Sequence, residues 1–338
     1  MTVGLSFAQK PYRVGTTAAD FLSIGYGSAG IAMGDAQVSM VEDISGIYWN
    51  PAGMAFMKKN EAQFIYQPWI ADINTAMVGV GVVLPDIGTL SLGAVSANYG
   101  DIPVTNMDAQ EGTGELYHAS EYAFSLSYSR LLTEWFAFGS SIKYINSNIW
   151  HTSANAVALD LGVIVNTFFF SPTKNRADGM KIGMSIANYG TRMQYNGLDI
   201  VYPIDPIPSE HGNYSDVPGQ YRMSSWELPL IFRIGVSLNA VKTEQHRITV
   251  ELDALHPNNS AEYINLGAEY ALTLPSTGIF YLRTGYKALG LPDSQYGMTF
   301  GVGFTKYLMN NISLKVGYAF RNIGVLGASN SYSMSIVF

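Results

Sequence analysis

Residues 296–305 read YGMTFGVGFT, and their spacing decides the fold. Tyr296, Met298, Phe300, Val302 and Phe304 alternate with Gly297, Thr299, Gly301, Gly303 and Thr305. A strand sends successive side chains to opposite faces, so one face here is oily and the other small or polar. The same rule sets Tyr122, Phe124, Leu126 and Tyr128 against Ala123, Ser125, Ser127 and Ser129, and Ile312, Leu314, Val316 and Tyr318 against Ser313, Lys315, Gly317 and Ala319. It recurs in 14 segments, near 61–69, 73–84, 88–98, 118–129, 134–148, 154–168, 179–189, 227–240, 245–256, 260–272, 276–287, 294–306, 311–320 and 329–338. Many exceed the about 5–6 residues of a soluble strand. They suit the about 9–11 needed to cross a bilayer at a tilt. The expected fold is all-β, a 14-stranded antiparallel transmembrane β-barrel with its oily faces toward lipid.

Composition agrees. Charged residues are 13% of the 338, about half the usual share, while 34 glycines and many Ser, Thr and Asn residues dilute an apolar content of 48%. No run of about 18 uncharged apolar residues exists, which excludes a helical membrane protein. With no cysteine there is no disulfide framework and no thiolate site. A net charge of -7 argues against a nucleic-acid partner. The two longest gaps, 99–117 and 190–226, both join odd to even segments, where a bacterial barrel has its extracellular loops. Trp135 and Trp150 bracket one segment, as interfacial indoles do. The last segment ends in Tyr332, Met334, Ile336 and Phe338, a terminal pattern resembling the signal read by barrel-insertion machinery. Residues 1–9 (MTVGLSFAQ) read as the remnant of a signal peptide or as a short disordered end.

Residues 10–60 lack the two-residue period and are rich in Gly, Ala, Ser and Met. From Gly25 they read GYGSAGIAMGDAQVSMVEDISGIYWNPAGMA. Ala29-Gly30, Met33-Gly34, Asp35-Ala36, Asp43 and Tyr48-Trp49-Asn50-Pro51-Ala52-Gly53 together make this segment similar to the N-terminal motif of the PorV/PorQ family, relatives of the FadL-type long-chain fatty-acid transporters. A weaker echo stands at Trp226-Glu227-Leu228-Pro229. The resemblance implies that residues 10–60 fold as a hatch, or plug, inside a barrel formed by 61–338. A lumen 14 strands around is too wide for small inward side chains to fill, so a plug is physically sensible.

Charge supplies candidate contacts. Between Val14 and Met57 stand Asp20, Asp35, Glu42 and Asp43 with no Lys or Arg, whereas the lumen parity carries Lys143, Arg233, Arg247, Arg283 and Lys315 alongside Asp160, Glu251, Asp253 and Glu269. Some of these bases are expected to hold the acidic hatch, Arg233 and Arg283 among them, or else to pair across neighbouring strands. Glu251 and Asp253, two residues apart, read as a salt-bridge ladder with Arg247 and Arg283 rather than as an acid–base pair.

No nucleophile–base grouping marks an enzyme. Gly25 to Gly30 fits the dinucleotide glycine pattern, but no strand–helix alternation follows. His118, His151, His211, His246 and His256 are scattered, so no metal site is expected. No cofactor is expected, though lipid or detergent could occupy the lumen. The resemblance implies a role in type IX secretion and surface attachment, with a secretion-system barrel and cargo C-terminal domains as partners. The partner surface would lie on loops 99–117 and 190–226, the latter carrying Tyr195, Tyr202, Tyr214, Tyr221 and Trp226. The alternative is a FadL-like passive channel for hydrophobic small molecules, lined by Ile31, Met33, Met40, Met54 and Met57. A structural subunit of an outer-membrane assembly is the third reading.

Overall fold

The structure is a computed structural model that describes residues 13–209, 216–308 and 311–338. The expected signal remnant at 1–9, His211 and Tyr214 lie outside the described residues. Fourteen long strands follow one another: β1 Glu61–Pro68, β2 Asn74–Leu84, β3 Gly88–Pro103, β4 Leu116–Thr133, β5 Phe136–Ile149, β6 Thr152–Asn166, β7 Lys181–Gly190, β8 Ile231–Lys242, β9 His246–Pro257, β10 Tyr263–Leu274, β11 Gly278–Leu289, β12 Met298–Tyr307, β13 Ser313–Asn322 and β14 Ala328–Val337. Each pairs antiparallel with its chain neighbours, and β1 closes on β14 with Glu61 opposite Val337. The result is a closed 14-stranded barrel with no free edge in its wall.

The orientation follows the alternation. Phe124, Phe300 and Val316 are 53%, 50% and 42% exposed on the outer wall. Their neighbours Ala123, Ser125 and Ala319 are buried inside. An apolar exterior around a small, polar interior is the arrangement of a lipid-facing barrel.

Several boundaries differ from the expected ones. The strand expected from 227 starts at Ile231, because the Glu227 carbonyl accepts from Ala18 N–H (2.9 Å) and Pro229 has no amide to donate. The strand expected from 294 starts at Met298. Strands β3 and β4 run on past a register shift between Asn98 and Asp101, shrinking the loop expected at 99–117 to 104–115. The longest described excursion, 191–230, carries a two-stranded hairpin, Val201–Ile204 with Val217–Gln220. It leaves from the same end of the barrel as 104–115. At the other end the connections are short except 167–180, where Arg176 lies 4.2 Å over the Phe168 ring.

Residues 19–57 fill the lumen as short turns: 3-10 turns at Asp20–Ser23, Ile44–Ile47 and Pro51–Phe56, and a five-residue helix, Ser28–Ala32. The segment is pinned at both ends of the barrel. At the long-loop end Thr17 bridges Glu227 and accepts from Asn259 Nδ2 at 2.8 Å. At the short-turn end Lys59 Nζ donates to Asn311 O at 2.6 Å, and Asn60 O accepts from Phe338 N–H at 2.9 Å.

Glycines in the wall set the fit. A Cβ at Gly139 would meet Pro51 C at 2.3 Å, one at Gly183 would meet Val38 O at 2.5 Å, and one at Gly285 would meet Gly34 N at 2.2 Å. Hatch backbone therefore lies directly against wall backbone, and any larger residue must displace it. Gly285→Val is expected to lower stability by at least about 2 kcal/mol through overpacking. Gly297→Val, with nothing within 4 Å of its Cβ, is expected to be near neutral. Thermal unfolding in detergent checks the pair.

Candidate functional site

The hatch motif residues prove to be its internal joints. Gly30 leaves room for the Trp49 ring, since a Cβ there would sit 2.5 Å from it, and Trp49 Nε1 donates to Tyr26 O at 3.0 Å. Asn50 caps the Pro51–Phe56 turn by accepting from Ala52 N–H at 3.1 Å, with Pro51 at the first turn position and Ala52 wholly buried. The other end of the same amide donates to Val38 O (2.8 Å) and to Val163 O of β6 (3.2 Å). Gly34 takes a left-handed φ of +70°, where a side chain would be strained and would strike Tyr286 N at 2.7 Å. Asp43 caps Ile44–Ile47 through Ser45 N–H.

The charges sort themselves differently from the sequence expectation. Asp253 Oδ2 accepts from Gln37 N–H (2.8 Å) and Val38 N–H (3.1 Å), and Glu251 Oε1 from Ser39 N–H (2.7 Å) and Met40 N–H (3.2 Å). The ladder expected between these acids and Arg247 and Arg283 is not formed. Instead both guanidiniums converge on Glu269, at 2.7 Å from Arg247 and 2.8 Å from Arg283. The hatch has turned four amide donors toward the wall, and carboxylates, which accept without donating, suit them better than bases. Arg283 therefore braces neighbouring strands and does not grip the hatch. Arg233 makes no ion pair with a described residue and lies 5.6 Å over the Tyr48 ring.

One expected hatch contact does form from the basic side, that of Lys315 with Asp43, and Lys181, which is not among the expected bases, adds a second. Lys315 Nζ reaches Glu61 at 2.9 Å and Asp43 at 3.7 Å, and Lys181 pairs with Glu42. Lys143 stays in the wall, 2.5 Å from Asp160 and 2.9 Å from Asn188 Oδ1. The sequence reading missed Lys287 and Arg321, which hold hatch Asp35 at 2.5 Å and 3.3 Å. Their signal was parity: Lys287 follows Arg283 and Gly285 by twos, and Arg321 follows Lys315, Gly317 and Ala319.

The methionines offered as a ligand lining mostly fill space. Met33, Met54, Met57 and Ile31 are buried in packing, and Met40 borders an open cavity instead. A cavity of about 570 Å³ opens at the short-turn end, below the hatch. Lys181, Arg247, Glu269, Arg283 and Lys315 line it, so it is a charged vestibule and not an oily pocket. Among the described residues no group of three His, Asp or Glu could hold a metal ion.

On the long loop Tyr202 and Tyr221 pack edge to face, 4.7 Å apart, and both are exposed. Trp226 is exposed too and exchanges backbone hydrogen bonds with Met193 at 2.8 Å. Tyr195 does not belong to that surface. Its hydroxyl bonds Ser147 of β5 at 2.7 Å, it packs on the hatch core, and burial pushes its pKa above the ordinary value.

A closed barrel with apolar outside, small residues inside and a fixed internal plug defines the class of hatch-bearing transmembrane β-barrels. A profile of the family described as Type IX secretion system protein PorV matches residues 7–202. The chain belongs to that family. Solved structures similar to it include the CymD monoaromatic hydrocarbon channel (TM-score 0.56, 11% identity, 93% of this chain and 96% of that one). The Pseudomonas putida toluene transporter TodX matches equally well (0.56, 11%, 93% and 96%). A Pseudomonas aeruginosa FadL homologue follows (0.54, 11%, 97% and 99%). At these identities the likeness is one of fold. No curated protein matches the sequence.

Two outcomes test the hatch contacts. Asp253→Ala strands the Gln37 and Val38 amides, costing about 1–3 kcal/mol for each buried donor left unpaired. It is expected to raise single-channel conductance in planar bilayers, while Arg283→Ala leaves the hatch closed. For Asp43, burial alone would raise the pKa, but Lys315 and the two bonds from Ser45 outweigh it and hold the carboxyl below its ordinary 3.8. A depressed folded pKa gives stability that is complete above the unfolded value and lost as pH falls through the folded one. Wild type is therefore expected to keep its thermal midpoint down to about pH 4 and lose it more steeply below than Asp43→Asn does.

Proposed function

We propose that this chain sits in a bacterial outer membrane and binds partner proteins of the type IX secretion apparatus. Its partners on this reading are a large secretion barrel and the C-terminal domains of cargo passing to surface attachment. Family membership supports the reading, and one observation carries it. The hatch occupies the lumen from end to end, tied down at both, and the vestibule beneath it is charged. A hydrophobic molecule would find packing above and ion pairs below. The extended surface of the chain is instead loop 191–230, with its exposed hairpin and the Tyr202–Tyr221 pair. Exposed aromatics on a protruding hairpin supply the contact area that protein partners use.

A second reading, passive passage of a hydrophobic small molecule, is favoured by the fold shared with the toluene and hydrocarbon channels. It requires the hatch to rearrange. The two part company on one experiment. Replacing residues 198–221 with a short Gly/Ser linker removes the hairpin but no barrel strand. Loss of co-purification with the secretion barrel and of cargo at the cell surface, with hydrocarbon uptake unchanged, is the expected result. Retained secretion with impaired uptake would favour the channel.

A further inference from the structure

The hairpin of Val201–Ile204 with Val217–Gln220 pairs with no other strand among the described residues, yet both its edges are blunted. Pro203 stands directly opposite Pro218. Antiparallel pairs alternate between those that exchange hydrogen bonds and those that turn their backbone groups outward. Ile200 O accepts from Tyr221 N–H at 3.0 Å, so Tyr202–Gly219 falls on a bonded step and Pro203–Pro218 on an outward one. Each edge therefore lacks an amide where an added strand would need a donor. A partner must meet a face of the hairpin instead.

One face is apolar. Residues directly opposite share a face, which groups Tyr202, Ile204 and Val217, and the Tyr221 ring packs 4.7 Å from that of Tyr202. Ile204 lies across Gly219, where it leaves no room for a side chain. The four apolar side chains are between 42% and 64% exposed. The root of the hairpin is held to the turn between β5 and β6: Asp199 accepts from His151 N–H at 2.9 Å, and Leu198 N–H donates to His151 O at 3.2 Å.

The charge around this face has one sign. Asp199, Asp205 and Asp216 flank it, with Arg222 the one base among the described residues from 198 to 222. Loop 104–115, at the same end of the barrel, carries Asp108, Glu111 and Glu115 and no Lys or Arg. Other bases of this end are engaged elsewhere: Arg192 and Arg13 meet Glu227 at 2.7 and 3.9 Å, while Arg233, Lys287 and Arg321 are buried in the barrel. Such a surface repels a second copy of itself and attracts Lys and Arg.

Granted the partner-binding reading above, we infer that the segment seated on the Tyr202, Ile204, Val217 and Tyr221 face is a basic protein surface, apolar at its centre and bordered by Lys and Arg, which docks face-on without adding a strand.

The test measures binding of the purified secretion barrel and of a purified cargo C-terminal domain to the full chain in nanodiscs. Affinity is expected to fall about tenfold between about 50 mM and about 500 mM salt. Asp205→Asn with Asp216→Asn is expected to weaken binding several-fold at low salt and to flatten the salt dependence. Tyr202→Ser with Tyr221→Ser is expected to weaken it about tenfold at both salts. Pro203→Val with Pro218→Val, which restores the edge amides, is expected to leave affinity unchanged. All these positions lie outside the barrel, so its unchanged thermal midpoint certifies each variant. Binding indifferent to salt and to the two acids, binding indifferent to the two tyrosines, tighter binding once the prolines are replaced, or wild-type self-association through this face would each overturn the inference while leaving the partner-binding reading in place. Failure of both partners to bind wild type at either salt would overturn that reading and the inference with it.

Discussion

Backbone touching backbone is the condition on which the molecule rests. A barrel this wide leaves a lumen that its own wall cannot fill, and the chain fills it with 39 residues of hatch (19–57) lacking long regular structure. Such a segment exposes amides and carbonyls that must find partners. Wall glycines let it come close enough, and wall carboxylates accept the amides it presents. Much of the composition follows: glycine at Gly139, Gly183, Gly267 and Gly285 is there because Pro51, Val38, Met33 and Gly34 are on the other side.

The hatch also divides the interior electrically. Below it, paired charges line a vestibule open at the short-turn end. Above it, basic groups crowd around Asp35. Between them the segment is drawn tight, and its long-loop end is clasped by the return of loop 191–230. There Glu227 pairs with Thr17 and Ala18, Pro229 O accepts from Asn188 Nδ2 at 3.0 Å, and Leu228 O accepts from Asn258 Nδ2 at 3.0 Å. The Trp226-Glu227-Leu228-Pro229 stretch therefore joins the outer loop to the plug.

The barrel was legible because lipid and lumen impose opposite demands on alternate residues, so Phe300 and Gly301 could be sorted without a neighbour in view. Strand ends were less legible, since pairing beyond the bilayer, as at Tyr99 to Pro103, depends on the adjacent strand and not on alternation. Arg283 and Glu251 show what was not legible. Their parity placed them in the lumen, but their partners were decided by which backbone groups an irregular hatch turns toward them. A one-dimensional charge count cannot carry that. Tyr195 failed for a related reason: an aromatic in a loop reads as surface until the loop folds back over Ser147.

The fixed hatch is tested most directly by hydrogen exchange at its own amides. Gln37, Val38, Ser39 and Met40 donate to Asp253 and Glu251 inside a packed lumen. In detergent or nanodiscs their exchange should be as slow as that of the barrel amides of β9. Exchange at the rate of the 104–115 loop, with β9 still protected, would mean that the plug leaves its seat freely and that the contacts described do not hold it.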